Sequence, residues 1–397
     1  MGDHLRSLTN KKFNCKSKAA LSSEIPIFLP SRHVQLIQFD FSEETKSSRQ
    51  SKKSPQSFHP RKLIDKYLKD TTFDLFIASI KMAAKDPLVL TGKDEMRKWS
   101  RLMRSHGKTI ALVPTMGYLH QGHLSLIQEA HKHAQLIVVS IYVNPGQFSP
   151  SEDLSTYPSD FHGDMLKLKS VPGGVDVVFC PKNLYDYSND SGDKQKNKNG
   201  NESLGGGGSV SCVEEKGNGH ETWVRVERLE KGLCGKSRPV FFRGVATIVT
   251  KLFHIVEPDV AVFGKKDYQQ WRIIQRMVRD LDFAIEIVGS EVMRDNDGLA
   301  LSSRNVHLSA EEREKALSIS KSLLKAKSGA KDGQVKCREL KDLAILTITQ
   351  AGGRIDYAEI VDQESLEAVE EINSPVVFCI AAWFGKVRLI DNMEINI

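Results

Sequence analysis

Several protein classes are excluded by what this chain lacks. Its 397 residues contain six cysteines, Cys15, Cys180, Cys212, Cys234, Cys337 and Cys379, with no C-x-x-C pair and no metal-ligand spacing. That argues against a disulfide scaffold or a zinc module and fits a reducing compartment. Long apolar runs are missing too. The longest, Val376–Phe384, has nine residues, whereas a bilayer-spanning helix needs about 20. No secretory apolar segment with a small-residue cleavage site follows Met1. A cytosolic protein without a membrane partner is therefore expected.

The body of the chain also lacks an excess of positive charge. Residues 1–81 carry 15 Lys+Arg against 8 Asp+Glu, and the remainder carries 41 against 42. The net charge of +6 thus belongs to the first segment, and no nucleic-acid surface is expected on the body. Eight acidic residues do not suit an organellar transit peptide. Residues 1–86 have weak apolar periodicity and read as a disordered basic extension, with one or two helical turns at Leu63–Leu68.

From Thr91 onward the apolar pattern sharpens. Met96, Trp99, Leu102 and Met103 mark a helix over Lys93–His106. Thr109–Val113 reads as a buried strand ended by Pro114, His123–Ala134 as a helix, and Leu136–Val143 and Val175–Cys180 as further strands. A helix face at Ala246, Val249, Leu252, Phe253 and Val256 precedes a strand at Val260–Phe263. A helix carrying Ile274, Met277, Val278 and Leu281 then leads to a strand at Ala284–Val288. Continuous apolar strands alternating with helices predict an α/β fold with a Rossmann-like parallel sheet over residues 87–291. Asp186–Gly219, rich in Asn, Ser, Lys and Gly, reads as a surface insertion in that domain. Residues 292–397 change character. Ser309 and Glu312 form a capping-box pattern ahead of a helix over Ala310–Lys327. A second helix over Cys337–Ala351 and strands at Tyr357–Val361, Val376–Phe384 and Val387–Ile390 complete a smaller C-terminal α+β domain.

Four segments carry chemistry. Pro114-Thr115-Met116-Gly117-Tyr118-Leu119-His120-Gln121-Gly122-His123 lies between a strand and a helix, where open α/β sheets bind ligands and a helix N-terminus attracts phosphate. Two histidines there can both donate to phosphate oxygens. Asn144-Pro145-Gly146-Gln147-Phe148 ends a strand, and Gln147 offers a donor and an acceptor to a hydroxy acid. In Gly264-Lys265-Lys266-Asp267-Tyr268-Gln269-Gln270, Lys266 is placed to meet phosphates, and Gln270 can face the same pocket as Gln147. In Ser302-Ser303-Arg304-Asn305, two hydroxyls and a guanidinium form a phosphate grip. Each segment read alone has an ordinary alternative as a turn or a solvated helix start, which the strand–helix context makes a minor one for the histidine segment. Gly232-Leu233-Cys234-Gly235-Lys236-Ser237 is not a P-loop, because Glu230 stands where the first glycine is required.

Together these motifs resemble the pantothenate synthetase (pantoate–β-alanine ligase) family, of the plant type, over about residues 87–397. H-x-G-H alone is shared by many nucleotidyltransferases and class I aminoacyl-tRNA synthetases; the full collinear set is far more specific. The resemblance implies ATP-dependent condensation of pantoate with β-alanine through a pantoyl adenylate, with Mg²⁺ on the phosphates and a homodimeric assembly. It places ATP at Pro114, Thr115, Met116, His120, His123 and Gly264, and at Lys266, Asp267, Met293, Ser302, Ser303 and Arg304. His120, His123, Lys266 and Arg304 are the implied catalytic residues, and Gln147 and Gln270 hold pantoate. Asn144, Tyr157 and Arg238 are further candidates. Ser149–Asp164 corresponds to a loop that closes over the intermediate. The chain departs from the family pattern at Lys265, where an acid or amide is usual, and at Phe241, where bacterial members often carry His. Met82-Ala83-Ala84-Lys85-Asp86-Pro87 looks like a natural start for this family, which makes residues 1–81 an expected upstream extension. Two other readings are another H-x-G-H nucleotidyltransferase, such as a cytidylyltransferase, and a non-catalytic interaction protein acting through residues 1–81.

Overall fold

The computed structural model describes residues 86–149, 152–185 and 220–396. The basic segment, including Leu63–Leu68 and the start at Met82, and the Asp186–Gly219 insertion lie outside the described residues. The expected fold class is observed. Six parallel strands, β1 (Leu88–Leu90), β2 (Ile110–Thr115), β3 (Leu136–Ile141), β4 (Val177–Phe179), β5 (Val260–Gly264) and β6 (Glu286–Ser290), form one sheet. Their order is β1-β4-β3-β2-β5-β6. Residues alternate between the two faces. Ile110 and Leu112 of β2 join a core with helices α1 (Lys93–Ser105) and α5 (Phe241–Val256). Ala111 and Val113 join a core with α2 (Gln121–Ala130) and α3 (Phe161–Lys169). Burial on both faces explains why these strands read as unbroken apolar runs.

The chain leaves β2 in opposite directions, towards β3 and β4 on one side and towards β5 and β6 on the other. Ligands bind outside the carboxyl ends of strands at such a switch point. Here the crevice is opened by the register itself, because β2 pairs with β3 through Thr115 but with β5 only at Ala111 and Leu112. Pro114 does not end β2, as its missing N–H had implied. Thr115 faces β3, giving its carbonyl to Tyr142 N at 3.1 Å, so Pro114 faces β5 beyond the last paired residue. No ladder bond is lost there.

A short helix α4 (Leu233–Ser237) precedes α5, and a 3-10 turn over Lys265–Asp267 leads into α6 (Tyr268–Asp280). The C-terminal helices α7 (Ala310–Lys331) and α8 (Cys337–Gln350) pack on an antiparallel sheet of β7 (Arg354–Asp362), β8 (Val376–Phe384) and β9 (Val387–Ile395). Phe378, Ile380 and Ala382 of β8 face α7 and α8, whereas Val377 and Cys379 belong to the core shared with α5. This two-sided burial accounts for the nine-residue apolar run. The Ser309–Glu312 capping box starts α7, with bonds of 2.8 and 3.1 Å.

Three further expectations are corrected. Helix α2 begins at Gln121 and ends at Ala130, not at His123 and Ala134, because the His120 side chain caps it. Strand β6 starts at Glu286 rather than Ala284, set by the pairing of Val260 with Glu286. The end of the expected Ser149–Asp164 loop is helix, since α3 starts at Phe161 behind the Asp160 cap.

Candidate active site

The turn after β2 needs unusual backbone. Gly117 has φ 84° and Tyr118 has φ 51°, two consecutive residues in the left-handed region that side chains disfavour. Buried Asp164 of α3 holds this turn by accepting from Tyr118 N at 2.8 Å and Leu119 N at 2.6 Å. Lys167, one turn on, donates to the Leu119 carbonyl at 2.7 Å. Burial holds the Asp164 carboxyl above the usual carboxylate range, and the two amide bonds oppose this only in part. Sequence reasoning missed this residue because nothing local distinguishes an anchoring Asp in a polar stretch.

The turn delivers His120 and His123 to the start of α2 as a reciprocal cap. His120 Nδ1 accepts from Gly122 N at 3.1 Å, and His123 Nδ1 accepts from His120 N at 3.3 Å. Backbone amides can only donate, so both Nδ1 atoms are unprotonated and each neutral ring carries its hydrogen on Nε2. The rings lie 4.0 Å apart. Burial, with Lys266 and Lys167 nearby, pushes His120 down to about 4, and Asp267 opposes this only in part. His123 falls well below the ordinary imidazole range through burial, His120, Lys266 and Lys167. Both are neutral Nε2–H donors at neutral pH.

The other segments converge on the same crevice. A cavity of about 1070 Å³ is lined by Pro114, Thr115, Met116, His120 and His123 from the first segment and by Asn144 and Gln147 from the second. Gly264, Lys266, Asp267 and Gln270 line it from the third, and Ser302, Ser303 and Arg304 from the fourth. Tyr157, Arg238 and Met293 line it as well, so all the candidate ATP-binding and pantoate-binding residues surround one space. Ser303 Oγ donates to the Tyr118 carbonyl at 3.3 Å, joining the serine segment to the histidine turn. The Arg304 guanidinium lies 5.6 Å over the Tyr157 ring. Gln269 also borders the cavity, but its amide is committed to the Leu229 and Gly232 carbonyls at 2.8 Å each. Gln270 faces the cavity, and its side-chain amide makes no hydrogen bond among the described residues.

The two departures from the family pattern have physical accounts. Lys265 pairs with Glu291 at 2.6 Å and Glu394 at 3.1 Å, so it ties the lysine turn to β9. Phe241 carries the Arg238 guanidinium 3.6 Å above its ring. Arg238 also pairs with Glu152 and donates to the Gln147 carbonyl at 3.2 Å.

Strand β9 supplies two residues that sequence reasoning missed. Asn392 Nδ2 donates to the Lys265 and Lys266 carbonyls at 2.8 and 2.9 Å. Asp391 takes a two-pronged bond from Arg294 at 2.5 and 2.8 Å. The signal was an adjacent polar pair inside an apolar strand. Both residues are buried, where polar groups require partners.

Comparison with known proteins follows the same lines. The profile of the family described as Pantoate-beta-alanine ligase matches residues 88–394. The pantoate–β-alanine ligase of Lotus japonicus is 72% identical over 312 residues, covering 78% of this chain and 99% of its own. That of Arabidopsis thaliana is 68% identical over 312 residues, covering 79% and 99%. The crystal structure of pantothenate synthetase from Thermus thermophilus superimposes with a TM-score of 0.64 at 35% identity, covering 78% of this chain and all of its own. The Francisella tularensis ligase, solved with beta-gamma ATP and β-alanine, gives 0.56 at 29% identity, covering 77% and 97%. The chain therefore joins pantoate to β-alanine in pantothenate synthesis and belongs to the pantoate–β-alanine ligase family, in its plant-type branch.

Proposed function

We propose that the ligation runs in two steps in this cavity, with ATP as the activating substrate. The pantoate carboxylate attacks the α-phosphorus of ATP, forming pantoyl adenylate and releasing pyrophosphate. The β-alanine amine then attacks the acyl carbon, the C–O bond to AMP breaks, and the amine gives up a proton. A carboxylate cannot lose oxide at neutral pH, and adenylation supplies a leaving group that it can lose.

The observation carrying this reading is the reciprocal histidine cap. It fixes two neutral Nε2–H donors at a helix N-terminus beside Lys266, an arrangement suited to phosphate charge. His120 and His123 donate to phosphate oxygens, Lys266 supplies positive charge, and Ser302, Ser303 and Arg304 grip the phosphates during transfer. Pro114, Thr115, Met116, Gly264, Asp267 and Met293 complete the nucleotide site. Gln147 and Gln270 hold pantoate. Arg238 and Tyr157 frame the loop that covers the adenylate, whose hydrolysis is the competing reaction.

Mg²⁺ fits as an ion carried in on the phosphates. No three His, Cys, Asp or Glu residues cluster as a metal cage among the described residues. Of the cavity carboxylates, Glu152, Glu291 and Asp391 are paired with Arg238, Lys265 and Arg294, and Glu312 is held in the cap of α7, which leaves Asp267, 3.7 Å from Lys266 Nζ, as the ligand at hand. When bound, the ion neutralises phosphate charge. Residues 87–291 form the ATP and pantoate domain and 292–397 the C-terminal domain, in a cytosolic homodimer.

The test is exchange of labelled pyrophosphate into ATP with Mg²⁺ and pantoate but no β-alanine. Pantoate-dependent exchange is expected. If exchange is absent but AMP and pantothenate appear once β-alanine is added, pyrophosphate leaves only after the amine arrives. Silence in both assays rules out the reading.

A further inference from the structure

We infer that Asn144 is a positioning residue, completed by Tyr185, that turns the Gln147 amide so that its NH₂ faces the substrate. The inference rests on the reading of Gln147 as a pantoate-binding residue and specifies which end of its amide does the binding.

The orientation follows from partners whose roles are unambiguous. Gly146 N can only donate, and it lies 3.2 Å from Asn144 Oδ1. The Gly244 carbonyl can only accept, and it lies 3.2 Å from Asn144 Nδ2. The Asn144 amide therefore has one permitted orientation. Its Nδ2 also lies 2.9 Å from a terminal atom of the Gln147 side chain, and that atom must be the acceptor Oε1. The remaining Gln147 atom is Nε2, which meets the Met116 sulfur at 3.2 Å, and both Gln147 and Met116 line the cavity. A thioether is a weak acceptor, so this NH₂ is available to a stronger one. The substrate group seated there is accordingly an oxygen that accepts, from the pantoate carboxylate or a hydroxyl lone pair.

Tyr185 supplies the last constraint. Its hydroxyl lies 2.9 Å from Asn144 Oδ1, and its ring is buried. Since that oxygen already accepts from Gly146 N, the tyrosine hydroxyl donates. Asn144 itself is 1% exposed, and its amide is shared among Gly146, Gly244, Tyr185 and Gln147. Its four partners leave it to act on the substrate through Gln147. Tyr185 ends the described segment ahead of the insertion, and no sequence motif pointed to it.

The test compares Asn144→Asp, Asn144→Ala, Tyr185→Phe and Gln147→Glu by steady-state kinetics for pantoate, ATP and β-alanine, with a thermal melt of each. The carboxylate of the Asn144→Asp variant keeps the acceptor bonds from Gly146 and Tyr185 but has no donor for Gln147, so Gln147 flips and shows an oxygen to the substrate. Pantoate KM is expected to rise about tenfold or more in Asn144→Asp and in Gln147→Glu. It should rise less in Asn144→Ala, where both Gln147 orientations are open, and about two- to fivefold in Tyr185→Phe. ATP KM stays within about twofold throughout. A purely structural role for Asn144 predicts the opposite order, with alanine worse than the isosteric aspartate. A raised pantoate KM in Gln147→Glu with wild-type values in Asn144→Asp and Tyr185→Phe overturns this inference alone. A wild-type value in Gln147→Glu removes the pantoate assignment and this inference with it. If Asn144→Asp does not fold, Tyr185→Phe decides, and an unchanged pantoate KM there overturns the inference.

Discussion

Asn392 holds Lys266 by its backbone, through a bond of 2.9 Å from the asparagine Nδ2 to the lysine carbonyl, and it holds Lys265 in the same way at 2.8 Å. The side chain of one strand thus fixes the turn that aims the cavity lysine. Asn392→Ala leaves both carbonyls without this donor, at a cost of about 1–3 kcal/mol. We expect ATP KM to rise about fivefold and kcat to fall, with pantoate KM nearly unchanged. Asn392→Asp should be worse, since its carboxylate would face two carbonyls. Kinetics that shift equally for ATP and pantoate would show that Asn392 serves general folding and not the lysine turn.

The neutral state of the histidine pair has a consequence for pH. His120 is held at about 4 and His123 well below its usual value, both mainly by burial. Neither titrates between about pH 5.5 and 8, so kcat/KM should show no inflection near about 6.5 from them. Stability behaves differently. Below about pH 6.5 the unfolded chain takes up protons that the folded histidines refuse, so stability falls as pH falls from about 6.5 towards 4 and the loss levels off below the folded value. Urea unfolding at about pH 7.5, 6.0 and 5.0, compared with His120→Asn at the same values, measures this. A wild-type midpoint that shifts with pH no more than that of the variant would remove His120 as the cause.

Five of the six parallel strands were readable from sequence because burial on both faces leaves a simple trace, which the more exposed β1 lacks, and three of the four chemical segments fell directly after a strand. Other features left no local trace. Pro114 reads as a strand end, and only the divergence of β2 from β5 shows why it is tolerated. Asp164 acts across 45 residues on the Leu119 amide, and Lys265 finds Glu394 across 129 residues. Such partners are chosen by tertiary packing, which periodicity does not report. Gln269 and Gln270 both border the cavity, and only the tertiary bonds of Gln269 to the Leu229 and Gly232 carbonyls separate them.

Gly122 is required by the ring beside it. A Cβ at this position would lie 2.9 Å from both Cε1 and Nδ1 of His120, so Gly122→Ala must displace the imidazole while leaving the helix intact. We expect kcat/KM to fall about a hundredfold, the scale that follows from moving a catalytic group by about 1 Å. The melting temperature should change little, because Ala favours a helix over Gly. Retained activity would show that the His120 ring has freedom that the capping bond conceals.

Glu152 links Ser149 through Arg238 to the Gln147 carbonyl. One carboxylate oxygen accepts from Ser149 N at 2.7 Å, and the other pairs with Arg238, which in turn donates to the Gln147 carbonyl. The Arg238 and Glu152 side chains are 16% and 25% exposed, so water screens this pair less than a surface bridge. Glu152→Gln keeps the shape and removes the charge. The loop should then cover the adenylate less well, and water should compete with β-alanine for the acyl carbon. The expected signature is AMP formed in excess of pantothenate at low β-alanine, with kcat/KM for β-alanine reduced about three- to tenfold. Measuring both products in one time course separates leakage from simple slowing. A ratio that stays at one while the rate drops would mean that Glu152 positions Arg238 for the chemistry and does not seal the site.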